Sequence, residues 1–234
     1  MKQSIAAIQN EYAPRIAKQA LEMEAIRLSV SDPFQWASGY RMPIYNDNRR
    51  LLADPGTRAL ICEAFAAVVA ALEVDFDNIA GTATAGIPHA TSLADKLQMP
   101  LSYVRSSGKG HGLKNLIEGL GSDGSYQGQR VLLIEDLIST GGSSIKAVEA
   151  VRDAHGVIDH CLAIFTYGLQ ASTDAFDALD PSCRLITLLD YDTMVATARA
   201  SGYVDEEAAR LLRTWRLDPF GWGLAHGFPP TVKE

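Results

Sequence analysis

Two adjacent carboxylates, Glu135 and Asp136, are followed within eight residues by four hydroxyls and two glycines, in Val131–Ser144, VLLIEDLISTGGSS. Gly141 and Gly142 can take conformations closed to other residues, so that backbone N–H groups converge on one anion. Ser139, Thr140, Ser143 and Ser144 add hydroxyl donors. Carboxylates beside a phosphate repel it unless they serve another part of the ligand. They either hold sugar hydroxyls or act through a metal ion. A 5-phosphorylated sugar suits both halves, with its phosphate in the turn Leu137–Ser144 and its diol on the acids. The spacing is neither GxxxxGK[ST] nor GxGxxG. The plain alternative is a strand–turn–helix connection with an N-cap serine. The acid pair together with four hydroxyls favours the phosphate site.

The flanking pattern says what must hold these groups. Val131–Ile134 is an uninterrupted apolar run, as in a strand covered on both faces. Ser143–Ala154 carries Ile145, Val148 and Val151 at helical spacing, and its N-terminus would present free N–H groups to the same anion. Open α/β sheets bind ligands at the carboxyl ends of their strands. Further strands are predicted at Ile79–Thr82, Leu101–Val104, Val157–Thr166 and Leu185–Leu189. Helices are predicted over Thr57–Leu72, Pro88–Leu97, Asp192–Ala200 and Asp205–Arg213. Asp54-Pro55 is a helix start with a capping Asp and a first-position Pro. Ser4–Leu28 reads as helical with a break at Pro14. Alternating strands and helices imply an α/β fold with a central parallel sheet flanked by helices. With no repeat or linker, residues 1–234 form one domain.

A second cluster lies in Arg105–Leu116, RSSGKGHGLKNL. It carries Arg105, Lys109, His111 and Lys114 among three glycines, with no acid until Glu118. In a chain of net charge −7, a cationic, glycine-rich loop suggests a lid that closes on an anion. The alternative is a mobile surface loop with solvated charges. The acidic balance disfavours a non-specific nucleic-acid binder. No apolar run is expected to reach the length of a bilayer span, and MKQSIAAIQNEYAPR lacks a signal peptide's apolar core. Cys62, Cys161 and Cys183 are read as core thiols. His155, His160 and His226 have no partners at metal-ligand spacing. His89 is either a pocket neighbour or a structural cap. The aromatic stretch Trp215–Phe228 is read as a docked tail or subunit contact. A cytoplasmic protein is expected.

Taken together, these segments resemble the type I phosphoribosyltransferases, and within them the orotate-specific branch. Besides the acid-pair turn, Pro33–Arg49 is similar to that branch's SG-x-x-SP-x-Y segment. Gly81–His89, GTATAGIPH, and the R-x-x-x-K-x-H-G loop in Tyr103–Gly119 match as well. The resemblance implies the type I phosphoribosyltransferase fold, with Ser31–Arg50 and the C-terminal region forming a small hood. It implies Mg2+-dependent transfer from phosphoribosyl pyrophosphate (PRPP) to orotate, giving orotidine 5′-phosphate, with the ion held mainly by substrate and water. Lys109, His111 and Asp136 would be catalytic. PRPP would be bound by Arg105, Lys109, His111, Glu135, Asp136, Leu137, Ile138, Ser139, Thr140, Gly141, Gly142 and Ser143, and orotate would be touched by Ser139. A homodimer is implied in which loop 105–115 completes the neighbour's site, with no nucleic-acid or membrane partner. The chain departs from the pattern at Ser106, Ala37 and Ala85, where lysines are usual, and at Met42, where serine is usual. Phe165–Gln170 offers no orotate-contacting arginine. Fewer cations are then left for pyrophosphate, and Arg41 is expected to replace them in part. The alternatives are another base, purine or uracil, or a non-catalytic regulator with the same fold.

Overall fold

The computed structural model describes residues 3–106 and 116–231. The chain begins with α1 (Ile5–Glu22), capped by the Ser4 side chain. It passes through four short strands, β1 (Ile26–Leu28), β2 (Phe34–Gln35), β3 (Arg41–Met42) and β4 (Ile44–Asn46), and a 3-10 turn over Asn48–Ala53. Then come α2 (Pro55–Leu72), β5 (Asn78–Thr82), α3 (Gly86–Leu97), β6 (Leu101–Val104), β7 (Ile117–Glu118), β8 (Arg130–Ile138) and α4 (Gly142–Asp153). The last elements are β9 (Val157–Thr166), α5 (Gln170–Asp177), β10 (Arg184–Asp190), α6 (Tyr191–Ala200), α7 (Glu206–Leu217) and the single turn α8 (Trp222–Ala225).

Six strands form the main sheet in the order β10-β9-β8-β5-β6-β7, all pairs parallel except β6–β7. The side chains of β8 alternate between the two faces. Leu132 and Ile134 join a core with α1, α2, α3, α6 and α7, whereas Val131 and Leu133 join a second core with α4. A continuous apolar run is therefore needed, because both faces are covered. The order reverses at β5: the next strand, β6, lies on one side of it and β8 on the other. The crevice between the tips of β5 and β8 is thus the switch point where α/β sheets bind ligands.

Several expectations are corrected. The α1 helix runs through Pro14 without a break, because its buried residues (Ile8, Ala13, Ile16, Ala17) hold it on the core while Pro14 faces solvent. It also ends at Glu22, and Ile26–Leu28 leaves as strand β1. β8 continues through Asp136 to Ile138, so the turn is shorter than Leu137–Ser144. Pairing of Leu137 with Phe165 and Ile138 with Thr166 on β9 extends it. By length and composition α2 is apolar enough to cross a membrane, contrary to expectation. It nevertheless packs on α1 and α3 with Leu60, Ile61, Ala64, Phe65 and Val68 buried, as a core helix does. Its start is as read: Asp54 accepts from Thr57 N at 2.6 Å, with Pro55 in the first turn. All three cysteines are buried and free.

The short strands build a layer above the sheet tips. β1 pairs with β4, and β2 with β3, both antiparallel. Asn48, almost wholly buried, donates from Nδ2 to the Asp136 carbonyl at 2.7 Å, tying this layer to the tip of β8. The C-terminal chain packs on its outer side. Trp215 Nε1 points at the Met42 sulfur at 3.1 Å, and Thr231 N donates to Gly39 O at 2.9 Å. The departure from serine at Met42 has its reason here: the side chain is fully buried beneath Trp215.

Candidate active site

β8 carries the acid pair to the crevice, and burial treats its two members differently. Glu135 is enclosed, with Oε1 accepting from Asp136 N at 3.0 Å and Oε2 from the Ser144 hydroxyl at 3.2 Å. Desolvation, reinforced by the Asp136 carboxyl beside it, pushes Glu135 up to about 8. Asp136 is half-buried, and desolvation raises it too. Both shifts are upward, so the pair favours fewer than two full charges, which lessens the repulsion it would exert on a nearby phosphate. Ser144 is buried and turned toward Glu135. Its expected place among the anion-facing hydroxyls is corrected: it lies on the inner side of the first turn of α4, against the β8 backbone.

Beyond β8 the turn is Ser139–Gly141. Gly141 has φ +85° and stands at the N-cap of α4, where no side chain caps the helix. The free N–H groups of the first turn thus remain open to an anion, flanked by exposed Thr140, Gly142 and Ser143. Gly142, expected to share the unusual conformation, is instead the first helical residue, and a Cβ there would meet nothing within 4 Å. Ile138 belongs to the core, so only its backbone can reach a ligand. Leu137 is part-buried against the other core.

The neighbouring strand ends in a second open helix start. β5 leads through Ala83–Ala85, with a cis Ala83–Thr84 peptide, into α3, which also has no side-chain cap. α3 sits very close to β8: a Cβ on Gly86 would lie 2.5 Å from Ile134 O and 2.6 Å from Thr82 Oγ1. α1, α2, α6 and α7 are capped by Ser or Asp side chains, whereas α5 and α8 also lack a side-chain cap. Two uncapped helix starts therefore flank the crevice on adjacent strands. His89 is buried in α3 and kept neutral, its imidazole pushed down to about 4 by desolvation and by Arg58. It caps nothing.

Two cavities open beside the turn. One, about 440 Å³, is lined by Thr82, Ala83, Arg105, Ser106, Ser143 and Lys146, among others. Arg105 pairs with Glu118 at 3.5 Å and its N–H binds the Leu116 carbonyl, closing the neck of the basic loop. Lys109, His111 and the remainder of that loop, 107–115, lie outside the described residues. The other cavity, about 340 Å³, is lined by Gln35, Trp36, Ala37, Ser38, Tyr45, Asn46, Leu137, Ser139 and Tyr167. Ser139 belongs to its wall. No charged side chain lines it among the described residues. Arg41 is not part of either wall, and its guanidinium donates to the Pro33 carbonyl at 3.3 Å. Arg27 lies over the Tyr45 ring at 4.9 Å. The sequence reading missed Gln35, Tyr45, Asn46, Asn48 and Tyr167 as pocket or linking residues. The signal available was Pro33–Arg49 itself, whose polar and aromatic residues alternate in short runs.

A family model for the phosphoribosyl transferase domain matches residues 49–167. The orotate phosphoribosyltransferase of Listeria monocytogenes serotype 4b is 44% identical over 209 residues, 89% of this chain and 97% of that protein. The crystal structure of the Aeropyrum pernix orotate phosphoribosyltransferase superposes with a TM-score of 0.64 at 28% identity, covering 81% of this chain and 99% of that one. The Mycobacterium tuberculosis enzyme, solved in complex with PRPP, gives 0.57 at 25% identity over 77% of this chain and 97% of its own. On this likeness along nearly its whole length, and with its acid pair and open turn at the sheet's switch point, the chain belongs to the orotate phosphoribosyltransferase family of type I phosphoribosyltransferases.

Proposed function

We propose that the protein transfers the 5-phosphoribosyl group of PRPP to N1 of orotate, releasing pyrophosphate. The observation that carries this reading is the shared wall at Ser139. Ser139 begins the anion-receiving turn and also lines a neutral pocket of base size. A sugar phosphate seated in the turn therefore presents its C1 toward the pocket.

The bond from C1 to pyrophosphate breaks as the bond to N1 forms. Positive charge grows on the ribose ring and negative charge on the departing pyrophosphate. The turn Ser139–Ser143 holds the 5-phosphate through backbone N–H groups and hydroxyls, so the sugar can move while its ends stay fixed. Asp136 faces the ribose hydroxyls and the cationic ring. Arg105 stands beside the pyrophosphate, and Lys109 and His111 from the loop would neutralise it and exclude water. The donor set fits Mg2+: one accessible carboxylate, Asp136, at a phosphate site, with no group of three ligating side chains among the described residues. Bound there, Mg2+ would neutralise the phosphate oxygens. Orotate's carboxylate would be met by neutral donors, since no charged side chain lines the pocket among the described residues. The working form would be a homodimer in which each loop completes the neighbour's site.

Turnover of orotate with PRPP and Mg2+, followed by its ultraviolet absorbance and run beside uracil and hypoxanthine, tests the reading. Consumption of orotate alone is the expected result. Turnover of another base would keep the PRPP assignments and discard orotate, and silence on all three would leave a binding protein without catalysis.

A further inference from the structure

The hairpin that forms one wall of the base pocket is pinned at Trp36, whose Nε1 donates to Ile44 O at 2.8 Å and whose ring meets those of Tyr167 and Trp215, but its own pairing is too short to fix its tip. β2 and β3 are two residues each, paired only as Phe34–Met42 and Gln35–Arg41. Its turn is closed by Trp36 N to Tyr40 O at 2.9 Å and Gly39 N to Trp36 O at 2.8 Å, with Gly39 at φ +87°. A longer isolated hairpin is already marginal in water. Yet Gln35, Trp36, Ala37 and Ser38 supply nearly half of the pocket lining.

The face of this hairpin turned away from the pocket is covered by the C-terminal chain. Thr231 N donates to Gly39 O at 2.9 Å, and a Cβ on Gly39 would overlap the Thr231 carbonyl oxygen. The Tyr40 and Phe220 rings meet edge to face at 5.1 Å. A Cβ on Gly223 would lie 2.8 Å from Arg41 O. Gly223 also receives Phe228 N at 2.8 Å, which turns the chain back. Pro229 and Pro230 then carry it, with few conformations open to it, to Thr231. Residues 39, 40 and 41 are thus each held from outside by a different residue of 220–231.

Resting on the proposed function, we infer that residues 218–231 are a strap that positions the hairpin Phe34–Met42 as the wall of the base pocket. The strap touches neither the acid pair nor the turn after β8. It is a positioning segment, acting on base binding through Gln35–Ser38. Without it the hairpin samples open arrangements, and the apparent affinity for the base falls by the fraction of time the wall is formed.

The test uses the full chain, a chain ending after Leu217, the double variant Phe220→Ala/Thr231→Pro, and Phe220→Tyr, which keeps the ring. Hydrogen exchange is read over peptides covering 34–42 and 131–144. Loss of the strap is expected to speed exchange at Trp36 and Gly39 by about tenfold, leaving 131–144 unchanged. KM for orotate is expected to rise about tenfold, with kcat and KM for PRPP within about twofold. Phe220→Tyr is expected to match the full chain. Should the truncated chain fail to fold, the double variant carries both readouts. Unaltered exchange in the hairpin overturns the strap, and so does faster exchange with an unaltered KM for orotate. If the full chain consumes no orotate, the proposed function fails, and the exchange data alone decide whether 218–231 holds the hairpin.

Discussion

Two residues of one strand do different work because one is enclosed and its neighbour is not. Glu135 is a buried acid with both oxygens supplied with donors, and Asp136 is the more exposed carboxyl beside it. Asp136→Asn is expected to fold normally and lose about 100-fold in kcat/KM for PRPP, measured by steady-state kinetics. Ser144→Ala leaves Glu135 Oε2 buried without its donor. The expected cost is about 1–3 kcal/mol of stability in urea unfolding, with a smaller effect on turnover. His89 sets a pH dependence. Its imidazole titrates near 6.5 when unfolded and is held down at about 4 in the fold. Between those values the unfolded chain takes up a proton that the native one refuses, so stability is complete above 6.5 and falls as pH falls toward 4. Urea unfolding at pH 7 and pH 4.5 should show wild type losing more than His89→Met.

At the scale of elements, the site is a consequence of how closely α3 and α4 approach the sheet. Gly86 allows α3 to sit against the Ile134 carbonyl, at the point where two uncapped helix starts face one crevice. Gly86→Ala is expected to push α3 outward and cost about 1–3 kcal/mol, read as a lowered melting temperature with a raised KM for PRPP. The acid pair, the glycine turn and the strands behind them were legible in the sequence because each rests on local pattern: an apolar run, a hydroxyl cluster, a helical period. The extension of β8 to Ile138 was not, since it depends on pairing with β9. Nor was continuity of α1 through Pro14, where packing outweighs the lost backbone bond. The inward turn of Ser144 was hidden for a related reason. A serine pointing at a ligand and one pointing at a buried acid look the same in sequence.

At the scale of the whole molecule, the proposed dimer makes a sharp demand. If each basic loop serves the neighbouring site, Asp136→Asn and Lys109→Ala chains, each inactive alone, should on mixing and exchange recover about a quarter of wild-type turnover, from mixed dimers with one intact site. Loops acting within their own subunit would recover none. The sequence by itself determined the α/β class, the apolar strand that carries the acid pair, and the glycine- and hydroxyl-rich turn that follows it. Each of these is written in residues close together along the chain. Only the tertiary structure decided that one cavity joins Gln35–Ser38, Tyr45 and Asn46 to Ser139 and Tyr167, that Arg41 lies outside it, and that the C-terminal chain packs on the hairpin lining it. Contacts between residues 39 and 231, or 42 and 215, depend on where the whole chain folds back, and no local pattern encodes that distance.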